Sequence, residues 1–72
     1  MNTIQTGDVI EFDYTNWKGI KGKRSVVVYG FHFGSNEWHP EEQWLLKAFD
    51  QEKKDSRMFA MKDMSNVKIV TK

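Results

Sequence analysis

One segment constrains this chain more than any other: Gln43-Trp44-Leu45-Leu46-Lys47-Ala48-Phe49-Asp50, followed across a polar stretch by Ser56-Arg57-Met58-Phe59. It fits two periodicities that lead to different fold classes. Read as a helix, His39-Pro40-Glu41-Glu42-Gln43 supplies the start, with proline in the first turn and acids behind it, and Trp44, Leu45, Ala48 and Phe49 form a stripe. Read as a strand, Trp44, Leu46 and Ala48 share one face and Gln51 to Asp55 is a hairpin turn. Arg57, Phe59 and Met61 then alternate on the return. The run from Asp50 to Arg57 carries no apolar side chain, so later helical turns would have nothing to bury. Pattern alone leaves residues 41–53 open between strand and helix.

The rest of the chain reads as β. Thr6-Gly7-Asp8 is a turn. From Val9 to Tyr14 the residues alternate, with Ile10, Phe12 and Tyr14 on one face. Thr15 to Gly22 is a loop, and Ser25 to Phe33 is a second strand, rich in β-branched and aromatic residues. Gly30 inside it marks a bulge or sharp bend. Gly34 to Pro40 is a loop, Lys62 to Asn66 a single turn of 3₁₀ character, and Val67 to Val70 a last short strand. At 72 residues the chain is read as one domain, 1–72, with its core at roughly 7–71. With no cysteine, disulfides and thiolate metal sites are excluded, so aromatic packing or association must hold a thin core. Phe12, Trp44, Phe59 and Tyr29 are the aromatics expected inside.

Net charge is +1 and names no partner, but the distribution is uneven. No acid lies between Asp13 and Glu37, an interval that holds Lys18, Lys21, Lys23 and Arg24, whereas Glu37, Glu41 and Glu42 follow at once. The expectation is a dipolar molecule with one basic and one acidic loop. The start has neither a charged nor an apolar leader region, and no apolar run approaches the roughly 18–20 residues of a membrane span. A cytoplasmic protein without membrane association is therefore expected.

The order Tyr14, Gly19, Gly22, Arg24, Val26, Val28, then Trp44-Leu45-Leu46 with Ala48 and Asp50, then Arg57-x-Phe59 and Asn66-Val67, resembles the WYL domain. That family's central strand carries Trp-Tyr-Leu, an alanine and an aspartate, and its next strand opens with Arg-x-Phe. The resemblance runs from about Val9 to Val70. It implies strand for the ambiguous segment, and hence an all-β fold: a five-stranded antiparallel small barrel of SH3-like type. Two departures stand out. Leu45 replaces the family's tyrosine, and the loop from Gly34 to Gln43 is longer than usual. WYL domains usually follow a helix-turn-helix domain in bacterial transcription regulators, where they act as sensors binding a nucleotide or nucleic acid through a basic patch. These residues contain no helix-turn-helix, so the resemblance implies a free-standing module like small phage or prophage proteins.

Three constellations invite chemistry. In Trp17-Lys18-Gly19-Ile20-Lys21-Gly22-Lys23-Arg24, cations can clamp phosphate while Trp17 stacks on a base. The bland alternative is a solvated hairpin loop. Arg57 with Arg24 forms the ligand pair that the resemblance implies, and a structural pair of Arg57 with Asp50 is compatible with it. Trp38, His39 and Glu41 form a candidate protein interface, set against Trp38 folding back over the core. Metal binding by His32, His39, Glu37 and Glu41 is disfavoured, because the spacing is not that of a ligand set. No nucleophile, phosphate-loop or zinc-protease motif is present, so neither enzyme activity nor a cofactor is expected. The expectation is a binding module for a nucleotide or single-stranded nucleic acid, with ligand residues Tyr14, Trp17, Lys18, Lys23, Arg24 and Arg57. A protein adaptor using the Trp38 loop is the alternative, and a homodimer a third reading.

Overall fold

Residues 41–53 resolve as strand and turn. In the computed structural model, which describes residues 4–35, 37 and 40–71, they open a β-hairpin. Five strands form one antiparallel sheet: β1 (Val9–Thr15), β2 (Lys21–Gly34), β3 (Gln43–Asp50), β4 (Asp55–Ala60) and β5 (Met64–Ile69). Their order is β4-β3-β2-β1-β5. A 3₁₀ turn, Met61–Asp63, precedes the last strand. The fold is all-β, as expected. Among the described residues β4 and β5 do not pair, so the sheet is not hydrogen-bonded into a closed barrel.

Alternation decides the core. Ile10, Phe12 and Tyr14 on β1 meet Val26 and Val28 on β2, Leu46 and Ala48 on β3, and Phe59 on β4. Ile4, Met64 and Ile69 close over its margin. Its three rings, Phe12, Tyr14 and Phe59, pack edge to face. Phe59 lies 5.2 Å from Phe12 and 5.0 Å from Tyr14, centroid to centroid, a geometry worth about 0.5–1.5 kcal/mol per pair beyond simple burial.

Two aromatics expected inside lie outside. Trp44 does share the face of Leu46 and Ala48, but it is 57% exposed. The cause is strand length. β1 pairs with β2 only as far as Val27, and β4 pairs with β3 only as far as Leu45. Beyond those points β2 and β3 continue as a two-stranded ribbon, where Trp44 packs on Phe33, ring to ring at 5.4 Å. Tyr29 is the extra residue of a bulge: Val28 pairs with Ala48 and Gly30 with Lys47, which leaves Tyr29 unopposed and 44% exposed. The expected irregularity is thus present, but centred one residue before Gly30. Leu45 is fully buried opposite Ala60.

Boundaries also moved. Gly22 belongs to β2, opposite Tyr14, and the first hairpin loop shrinks to 16–20. β5 begins at Met64, three residues before Val67. It accommodates Asn66 in the left-handed region (φ 53°) where its register with β1 shifts. Met61 sits in the 3₁₀ turn instead of extending β4.

Candidate functional site

Asp50 organises the site from beneath. It is 1% exposed at the end of β3, and its two oxygens have separate tasks. Oδ1 accepts the backbone N–H groups of Glu52 (3.0 Å) and Lys53 (3.1 Å), while the Asp50 carbonyl accepts that of Lys54 (2.7 Å). These three bonds shape the 51–54 turn, in which Lys54 adopts φ 54°. Oδ2 accepts Nη1 of Arg24 at 3.4 Å. The structural pair considered for Arg57 is therefore made by Arg24 instead. The Arg57 side chain makes no hydrogen bond or ion pair among the described residues.

A guanidinium carries five N–H donors. Asp50 takes one of Arg24's, and its buried Nε has no partner among the described residues. Arg24 thus lies in place with donors to spare, which suits a multidentate anion better than a lone carboxylate.

The first hairpin loop is equally ordered. Asn16 Oδ1 accepts the N–H groups of Lys18 (2.9 Å) and Ile20 (3.0 Å), and Gly19 takes φ 79° to donate to the Asn16 carbonyl at 2.8 Å. This Asx-anchored turn fixes the base from which Trp17 projects, 71% exposed. Lys18 Nζ lies 5.2 Å from the Trp17 ring centroid, in cation–π contact.

Between this loop and the β3–β4 hairpin lies an open cleft of about 590 Å³. Tyr14, Trp17, Arg24 and Arg57 all line it, so the fold brings together four of the six expected ligand residues from β1, its loop, β2 and β4. Lys18 and Lys23 are not part of the lining. Lys18 rests by Trp17, and Lys23 pairs with Asp13, one residue out of phase with Arg24 and hence on the opposite face. Tyr14 presents only an edge. It is 5% exposed, and its hydroxyl accepts the Ala60 N–H at 3.0 Å. Burial pushes its phenol above the ordinary value, opposed by that hydrogen bond.

Lys47 and Lys53 also line the cleft, and sequence reasoning missed both. The signal for Lys53 is the pair Lys53-Lys54 ahead of Arg57, which by itself is indistinguishable from a polar turn. Four cations, Arg24, Lys47, Lys53 and Arg57, therefore face one acid, Asp55. Glu41, expected at a protein interface, is exposed at the far end of the β2–β3 ribbon. Trp38 and His39 lie outside the described residues. No described helix is long and apolar enough to cross a membrane. No protein-family model and no curated protein matches the chain.

Proposed function

We propose that this chain is a non-enzymatic binding module that takes a nucleotide or single-stranded nucleic acid into the cleft between the Trp17 loop and the β3–β4 hairpin. The observation that carries this reading is the lining: four cations against one acid, with an exposed indole held on a hydrogen-bonded turn. Phosphates would meet Arg24, Arg57 and Lys53, and a base would stack on Trp17. With so few charges, binding is weak and falls with added salt. The WYL resemblance points the same way. Through its fused relatives it also points to a role in transcription regulation and a phage or prophage setting, an argument from analogy rather than from the site.

One observation favours the adaptor reading. Phe31, Phe33 and Trp44 are exposed along the ribbon, next to exposed Glu41 and Glu42, and such an apolar patch with an acidic rim suits a protein partner. Substitution separates the two. Arg24 holds Asp50, so the cleaner cleft variants are Arg57→Ala and Lys53→Ala. Each should weaken binding of a short single-stranded DNA in a fluorescence anisotropy titration, while Trp44→Ser leaves it unchanged. The reverse pattern in a pull-down, with Trp44→Ser losing a captured protein and the cleft variants keeping it, would favour the adaptor.

A further inference from the structure

A second cleft, of about 550 Å³, adjoins the first. It is lined by Tyr29, Gly30, Phe31, His32, Lys47 and Met58. Lys47 and Met58 line both clefts. They are direct cross-strand partners on the face opposite Arg57 and Phe59, and Lys47 is also opposite Gly30, so the connection passes over the edge strand β4 and then runs across β4, β3 and β2. At about 4.8 Å between neighbouring strands, that crossing is roughly 10 Å. Each cleft alone falls in the range of one small-ligand site, about 300–1,000 Å³.

Resting on the nucleic-acid reading of the first cleft, we infer that the two form one continuous groove whose ligand is a polymer, a single strand of several nucleotides, with Tyr29 and Phe31 as a second base platform. The groove has the elements that a strand requires. Trp17 stands at one end, and Tyr29 and Phe31, each 44% exposed, stand at the other. Lys47, exposed at the junction, is placed for the intervening phosphate. The second cleft has no acid in its lining, and His32 adds a donor. The bulge at Tyr29 supplies the platform: an unopposed residue on a bent strand is turned out of the sheet, where a base can reach its ring. The mononucleotide alternative leaves the second cleft without a role.

The test compares thymidine monophosphate with oligothymidylates of two, four and six residues by isothermal titration, for the wild type, Tyr29→Ser, Phe31→Ser and Arg57→Ala. The expected result is affinity that rises with length. Tyr29→Ser and Phe31→Ser should weaken the hexamer by roughly fivefold or more, the lower end of what one stacked base contributes, and leave the monophosphate unchanged. Arg57→Ala should weaken every ligand. An unchanged amide spectrum establishes that each variant folds, and two platform variants guard against the failure of one. If the hexamer binds no tighter than the monophosphate while Arg57→Ala still weakens both, the continuous groove is overturned and the cleft reading stands. If neither ligand binds the wild type, both fall.

Discussion

At the scale of single residues, two buried polar groups tie stability to the site. Asp50 satisfies a turn and anchors a cleft arginine at once. Asp50→Ala removes both tasks and strands Arg24, and we expect a loss of about 3 kcal/mol in urea denaturation. That is the low end for breaking a buried pair, because Arg24 is partly exposed and the contact is long. Asp50→Asn keeps an acceptor for the Glu52 and Lys53 N–H groups, so its loss should be smaller, about 1–2 kcal/mol. Equal losses from the two variants would show that the Oδ1 turn bonds contribute nothing beyond the ion pair. Tyr14 supplies a pH dependence. Burial raises its folded-state pKa above the unfolded value near 10, so the folded state holds the phenol proton more tightly. The stabilisation is complete below pH 10 and is lost as pH rises through the folded-state value. Tyr14→Phe should flatten the fall in melting temperature above pH 10 and, by leaving the Ala60 N–H without an acceptor, cost about 1–2 kcal/mol at neutral pH. An unaltered alkaline slope would contradict the assignment to Tyr14.

Among the elements, the hairpin turns carry backbone strain that a substitution can relieve. Lys54 holds φ 54° only because the Asp50 bonds close the turn around it. Glycine is at ease there, so Lys54→Gly should raise the denaturation midpoint, by up to about 1 kcal/mol of stability. A lower midpoint would mean that the lysine side chain, not the backbone, decides the turn. The same elements show what sequence conveys and what it withholds. A period of two fixed which side chains of β1 point inward, because β1 is flanked on both sides by β2 and β5. For Trp44 the period gave the right face and the wrong burial. Whether a face is covered depends on where the neighbouring strands stop, and β1 and β4 stop short of it. Helix and strand were indistinguishable over 41–53 because Trp44, Leu46 and Ala48 satisfy one period, and Trp44, Leu45 and Ala48 the other. What settles the segment is long-range pairing with β2, which no local window contains. Arg24 and Arg57, which the resemblance singles out together, both line the first cleft. Lys47 and Lys53 were not legible, because they reach the cleft from a strand interior and a turn that the register alone brings beside β1's loop.

Over the whole molecule, β2 is the organising element. Its 14 residues run from the basic Trp17 loop to the acidic 37–42 segment, so the charge asymmetry of the sequence becomes a separation of ends. A radius of gyration of 11.5 Å matches the roughly 11 Å expected of a compact chain this long. The cleft beside the Trp17 loop is thus set apart from the Phe33–Trp44 end of the ribbon, and the two functional readings centre on different ends of one sheet. The proposed site lies at the basic end. Its most direct test is a two-dimensional amide NMR titration with a short mixed-sequence single-stranded DNA at low and moderate salt. Shifts are expected at residues 16–20, at Arg24 and over 53–59, fading as salt rises. An unchanged spectrum, or shifts confined to the ribbon around Phe33 and Trp44, would contradict the proposed site.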